Sequence, residues 1–233
     1  MISNQTICLL VPTLNEEEGL KVFFNSLPSY IDKVLIVDSN STDKTVEIAN
    51  KNGSKVIFEP ERGYGRALIT GFKHVEEDWV VTLDADGSYP LSEVEGLVKY
   101  AIAKNFKFLS ASRLPLLNPE AISNRNFLGN TLITWITNFL FGTKMVDGSS
   151  GMWVIHKSIL PLLKLKKNDW LLSNEIKIFA ALHPQIGFHE KAIEFIPRVG
   201  ETKVSHPWLI GLDLLKYLLL SKLSNEFNHS KQV

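Results

Sequence analysis

A chain of 233 residues with 45% hydrophobic content is long enough to bury a substantial core, which excludes a disordered polymer. Lys plus Arg number 25, as do Asp plus Glu, so no net field recruits nucleic acid or an anionic surface from a distance, and nucleic acid is not an expected partner. The one cysteine, Cys8, lies inside an apolar run; this excludes an internal disulfide, speaks against a cysteine metal site and suits a reducing compartment.

Met1 to Gln5 is short and polar, and Ile7 to Val11 runs at once into Pro12 and a charged stretch, a pattern unlike a signal peptide. From there, short apolar runs alternate with amphipathic stretches: Ile7–Val11 then Gly19–Leu27, Val34–Val37 then Thr42–Asn52, Lys55–Phe58 then Tyr64–Val75. This alternation predicts an α/β fold with a mainly parallel sheet flanked by helices. A fourth run, Trp79–Leu83, precedes a helix at about Leu91–Ala103 and a strand near Phe106–Ser110. The rhythm then changes to a loop (Leu114–Ser123), an apolar helix (Phe127–Phe141), the turn Asp147–Gly151, a strand (Met152–Ile155) and a helix opened by Ser173-Asn174-Glu175. No linker or repeat divides the chain, so one domain is expected over 1–233: a nucleotide half (1–113), an acceptor half (114–205) and a C-terminal amphipathic helix and tail (206–233).

The segment Trp208–Leu223 is the most membrane-like, but Asp213 and Lys216 interrupt it. About 16 helical residues reach roughly 24 Å against a hydrocarbon core of roughly 30 Å, so it is not expected to span a bilayer. Trp208, Lys216, Tyr217 and Lys222 suit a helix lying at an interface, and a core-facing helix fits the same residues.

The loops after the predicted strands carry the chemistry. Asn15 can cap a helix whose first turn holds Glu16, Glu17 and Glu18, with Glu18 completing a capping box. Ser41 or Thr42 can cap the next helix, which leaves Asp38 at the strand tip free for a base or ribose. Gly63 and Gly65, with Arg62 and Arg66, stand where backbone amides and a helix N-terminus can approach phosphates. No dinucleotide fingerprint or Gly-Lys-Ser/Thr phosphate loop is present.

After Trp79–Leu83 come Asp84-Ala85-Asp86-Gly87-Ser88. Residues two apart on an extended chain share a side, so Asp84 and Asp86 can face one crevice at the carboxyl end of the strand, where open α/β sheets bind ligands. A hard divalent ion bound to a nucleotide diphosphate would relieve their repulsion, and a plain Asp-Gly turn accounts for the same residues.

In order, these junctions resemble the family 2 glycosyltransferases of the GT-A fold, most closely the dolichol-phosphate mannose synthase-like branch. The likeness runs through Pro12-Thr13-Leu14-Asn15-Glu16, Asp38 to Thr45, Gly63 to Ala67, Asp84-Ala85-Asp86, Ser112-Arg113, Asp147 to Gly151 and Arg198 to Lys203. It implies a metal-dependent, inverting transfer of a sugar from a GDP- or UDP-sugar, with Mg²⁺ or Mn²⁺ as cofactor. Pro12, Asn15, Glu16, Asp38, Gly65, Asp84, Arg113 and Lys203 would serve the donor; Asp84, Asp86 and Ser88 the ion; and Arg198 or Lys203 the charge developing on the leaving diphosphate. Ser88 stands where mannosyl-phosphate synthases resemble a glutamine, and Ser39 follows Asp38 in place of a second aspartate.

The resemblance implies a polyprenyl phosphate acceptor, and a glycan hydroxyl is the alternative. A phosphate oxygen is already anionic, whereas a hydroxyl requires a base, for which Asp147 and Glu175 are the candidates. Apolar residues of Phe127–Phe141 and Trp208–Leu223, with Arg113, Arg125 and Lys203, suit a lipid phosphate; both helices simply covering the sheet is the plainer reading. A cytoplasmic enzyme, or one peripheral on the cytoplasmic face of a membrane, is expected. A nucleotidyltransferase would carry a Gly-rich basic loop where Pro12-Thr13-Leu14-Asn15 stands, and a non-catalytic nucleotide-sugar binder would not require Asp84, Asp86, Asp147 and Arg198 together.

Overall fold

The first strand divides its side chains between two cores: Ile7, Leu9 and Val11 pack on one face of the sheet, Cys8 and Leu10 on the other. Such a strand must lie inside a sheet covered by helices on both sides. The computed structural model, which describes residues 1–200 and 207–227, shows this arrangement. In chain order the elements are β1 (Ile7–Thr13), α1 (Glu17–Asn25), β2 (Lys33–Asp38), α2 (Thr45–Lys51), β3 (Lys55–Phe58), α3 (Tyr64–Phe72) and β4 (Trp79–Thr82). There follow α4 (Ser92–Lys104), β5 (Phe108–Ser112), α5 (Asn124–Phe141), β6 (Trp153–His156), α6 (Leu172–Leu182), β7 (Phe188–Ala192) and α7 (Pro207–Leu223).

The sheet has seven strands in the order β3-β2-β1-β4-β6-β5-β7. It is parallel except at β6, which runs antiparallel between β4 and β5. On one face Leu20 and Phe23 of α1, Ala49 of α2 and Val94, Leu97 and Val98 of α4 meet Leu9, Val11 and Ile36. On the other, Ala67 and Leu68 of α3 and Leu172 and Ile176 of α6 meet Leu10, Leu35, Phe108 and Trp153. A third cluster joins Ile133 and Phe141 of α5, Ile178 of α6 and Leu214 and Leu218 of α7.

Two capping expectations are corrected. Neither α1 nor α2 has a side-chain cap; their first residues are preceded by Glu16 and Lys44. The polar side chains tie the two junctions to each other instead. Asn15 adopts φ 53° and accepts from Thr42 N at 2.7 Å, Asn15 N donates to Ser41 Oγ, Glu16 N to Thr45 Oγ1, and Glu17 accepts from Lys44 N. The capping residues of the sequence thus hold two adjacent strand tips in register.

Candidate active site

β4 is wholly buried and ends at the centre of the sheet, so the turn that follows opens where β1 and β4 leave a crevice. Asp86 Oδ1 accepts from Ser88 N at 3.0 Å and from Ser88 Oγ at 2.6 Å, while Oδ2 accepts from Arg198 Nη2 at 2.5 Å. Arg198 reaches it because the 196–199 main chain runs along the turn: Ile196 N donates to Ser88 O at 3.1 Å and Val199 N to Asp86 O at 2.8 Å. The Asp84 carboxyl is pushed up to about 7, chiefly by burial and then by the Asp86 charge, with Glu16 adding to the effect and the nearby Tyr64 hydroxyl opposing it. Sequence reasoning missed Gly19, where a Cβ would lie 2.3 Å from Ala85 O. Only a glycine lets α1 approach the carboxylate turn this closely.

The structure thus brings Glu16, Asp84, Asp86, Ser88 and Arg198 together. Lys203 lies outside the described residues. Pro12, level with Val37 in the β1–β2 pairing, lines the neighbouring tip. Asp38 does not stand free there. It is buried, with Oδ1 accepting from Thr13 Oγ1 at 3.2 Å and Ser41 Oγ at 2.5 Å, and Oδ2 accepting from Ser41 N at 3.0 Å. A short chain after a strand tip satisfies its orphan groups with the nearest acid, and Asp38 is that acid.

The reading of Gly63 and Gly65 as a phosphate cradle is also corrected. A Cβ at Gly63 would sit 2.2 Å from Asn168 O, and one at Gly65 2.4 Å from Lys167 O and 2.8 Å from Asp169 O. Arg66 N donates to Asn168 O at 3.0 Å. The glycines admit the main chain of residues 167–169, which occupies the start of α3.

In the second half of the chain, Asp147 is fully buried in a bidentate pair with Arg113: Nε to Oδ2 and Nη2 to Oδ1, both 2.8 Å. Arg113 N and Asn130 Nδ2 add donors at 3.0 Å, and Lys177 Nζ donates to Asp147 O. Burial works to raise the Asp147 carboxyl, but the Arg113 guanidinium holds it well below the usual carboxylate range. Burial lowers the Lys177 ammonium to about 8 despite the charges of Asp147 and Glu190. Arg113, expected to serve the donor, is thus spent on Asp147. Glu175 is buried too, its oxygens accepting from the amides of Lys166, at 3.0 and 3.1 Å, and Lys167, at 2.9 Å. Neither acid stands as a free base.

Among the described residues no three His, Cys, Asp or Glu side chains form a closed metal cage. What the site offers is oxygen donors alone, from Asp84, Asp86 and Ser88, with Arg198 providing the positive charge on Asp86. Mg²⁺ and Mn²⁺ favour such oxygen sets, and Mg²⁺ commonly takes one or two carboxylates with substrate phosphates completing the shell, so these residues fit a divalent ion.

A seven-stranded sheet in the order β3-β2-β1-β4-β6-β5-β7, with β6 alone reversed and a carboxylate pair after the central β4, is an α/β fold of the GT-A class. The chain belongs to glycosyl transferase family 2, whose model matches residues 8–161. It is 30% identical to the UDP-N-acetylglucosamine–dolichyl-phosphate N-acetylglucosaminyltransferase of Methanococcus voltae, over 95% of this chain and 98% of that protein. It is 29% identical to a dolichyl-phosphate hexose transferase of Haloferax volcanii, over 93% and 96%. Against a low-salt glycan biosynthesis hexosyltransferase of the same organism it is 28% identical over 85% of its own length and spans half of that protein. Glucosyl-3-phosphoglycerate synthase from Mycobacterium tuberculosis, solved with UDP, has the same fold, with a TM-score of 0.72 at 18% identity, covering 94% of this chain and 81% of that one.

Proposed function

We propose that this chain transfers a sugar from a UDP- or GDP-sugar to a polyprenyl phosphate, with inversion at the anomeric carbon. The observation that carries the acceptor class is the state of the two acceptor-side acids. Asp147 is locked to Arg113 and Glu175 to two backbone amides, so neither is disposed to deprotonate a hydroxyl. An acceptor whose oxygen is already anionic removes that need. Two relatives, a dolichyl-phosphate hexose transferase and a dolichyl-phosphate N-acetylglucosaminyltransferase, support the same class.

Asp84, Asp86 and Ser88 would hold Mg²⁺ or Mn²⁺; a mycobacterial synthase of the same fold is described with Mn²⁺ and UDP. Bound there, the ion supplies charge neutralisation for the departing nucleoside diphosphate. Arg198, already on Asp86, is placed to share that charge as the glycosidic bond breaks. Pro12, Glu16 and the Asp38 turn would border the nucleoside.

A lipid acceptor requires an apolar approach. Leu128, Leu132, Trp135 and Phe139 form an outward stripe on α5, each more than half exposed, and Trp208, Leu212, Leu220 and Leu223 of α7 are exposed to the same degree. Trp135 and Phe139 stack at 5.9 Å. Among the described residues no helix is long and apolar enough to cross a membrane. We read this face as resting on a lipid surface, which would make the protein peripheral.

The test is a panel of UDP- and GDP-sugars with Mg²⁺ or Mn²⁺ and either a short polyprenyl phosphate, the matching polyprenol or an oligosaccharide. Transfer to the phosphate alone, lost in Asp86→Ala, is the expected result. Transfer to the alcohol or the sugar would overturn the acceptor class.

A further inference from the structure

Tyr64 opens α3 between the two glycines that admit the 167–169 main chain. Its ring lies flat on Trp170, with centroids 4.4 Å apart and planes inclined by 16°. Its hydroxyl and the Asp84 carboxyl lie on the same side of Gly151, close enough to act on each other. Behind it, a Cβ on Gly151 would come 2.7 Å from Tyr64 Oη and 3.8 Å from Asp84 Oδ2, so the turn entering β6 closes against the phenol. Trp170 is itself held in place by its loop. Asn168 O accepts from Arg66 N, Asp169 Oδ1 accepts from Leu171 N at 2.9 Å, and Glu175 accepts from the amides of Lys166 and Lys167.

We propose that Tyr64, seated on Trp170, is a positioning residue that fixes the Asp84 carboxylate and thereby sets the affinity of the site for a divalent cation. Two carboxylates one residue apart repel, and an unsupported Asp84 relieves that repulsion by rotating away from Asp86. A phenol held on its face, at its back and along its helix gives Asp84 a fixed donor and selects one orientation before an ion arrives. Ligating carboxylates depend on such partners for their geometry. Glu175 then acquires a part other than that of a base: it pins the loop that carries Trp170. The Gly-Tyr-Gly sequence acts as a unit, the glycines admitting the loop and the tyrosine linking it to the carboxylate.

The inference rests on Asp84 and Asp86 being the carboxylates of the ion, and the experiment separates the two. Mn²⁺ binding to the full chain is followed by the electron paramagnetic resonance of the free ion, with and without UDP. Tyr64→Phe keeps the ring and its stack but removes the hydroxyl, and is expected to weaken Mn²⁺ binding about tenfold. Trp170→Leu should weaken it in the same direction, and Trp170→Phe, which restores a flat ring, should recover most of the loss. This pair decides the matter where Tyr64→Phe fails to fold. Wild-type Mn²⁺ affinity in Tyr64→Phe, or equal affinities in the two Trp170 variants, alongside lost binding in Asp86→Ala, would overturn the role of Tyr64. Unchanged binding in Asp86→Ala would overturn the ion assignment on which that role stands.

Discussion

Arg198 brings Nη2 to 2.5 Å from Asp86 Oδ2, and the main chain around it is bonded to the same turn. The guanidinium therefore occupies an oxygen that an ion would also use. On the proposed assignment, removing it would leave Asp86 available to the cation and take charge away from the leaving group. Arg198→Ala should bind Mn²⁺ more tightly in the absence of nucleotide while its turnover falls about a hundredfold or more. Mn²⁺ titration and kcat, measured on one preparation, check the two opposite signs.

Asp147 makes its contribution in the fold. Asp147→Asn breaks a buried bidentate pair and leaves the Arg113 guanidinium without its counter-charge, at a cost of about 3–5 kcal/mol in denaturant unfolding. A base would leave its mark on the acid limb of the pH–rate profile. That limb is expected to stay in place for the folded fraction of the variant, and its disappearance would restore Asp147 to a proton-transfer role.

Two glycines on helices should respond in opposite ways to alanine. At Gly19 the added carbon meets Ala85 O at 2.3 Å, so α1 must back away from the carboxylate turn; both stability and donor affinity should fall. At Gly96, inside α4, nothing lies within 4 Å, and alanine should stabilise by about 0.5–1 kcal/mol through helix propensity. Thermal unfolding with nucleotide titration distinguishes them.

Acid stability should depend on Asp78. The main-chain amide of Thr6, together with Lys157 and the Thr6 hydroxyl, lowers its carboxyl from 3.8 to about 2. The folded state therefore holds fewer protons than the unfolded state between these values. The stabilisation is complete above 3.8 and is lost as the pH falls through 2. The difference in unfolding free energy between wild type and Asp78→Asn should shrink across that window and stay flat at neutral pH.

Cys8 should be inert in the native protein. Burial pushes its thiol up to about 12, and the residue is fully enclosed in β1. Modification by a thiol reagent should proceed at the rate of unfolding, and a fast reaction with native protein would contradict its placement.

The parallel half of the sheet was legible because β1, β2 and β4 are unbroken apolar runs, a pattern that only doubly covered strands require. β7 was not: Phe188-His189-Glu190-Lys191-Ala192 lies at the sheet edge, where half-polar chain pairs as well as apolar chain does. The reversed direction of β6 was also hidden, since Trp153 to His156 would read the same either way. At the site, Asp84, Asp86 and Arg198 were recognisable as a set. What Asp38, Asp147 and Glu175 bond to was not, because Arg113 and Asp147 are 34 positions apart and nothing local marks their pairing. Likewise a glycine announces a close approach without naming what approaches, and at Gly65 it is the chain itself.

The position of β6 governs how the molecule can be assembled. A strand from later in the chain, β6, completes hydrogen bonding for both β4 and β5, which it separates. A fragment ending after β5 would present two unsatisfied ladder edges at its centre, an invitation to stick to other copies. During synthesis the carboxylate turn after β4 therefore has no finished wall beside it until the ribosome has delivered the chain through His156. Any attempt to express the chain only through β5 should yield aggregate, whatever the quality of its own core.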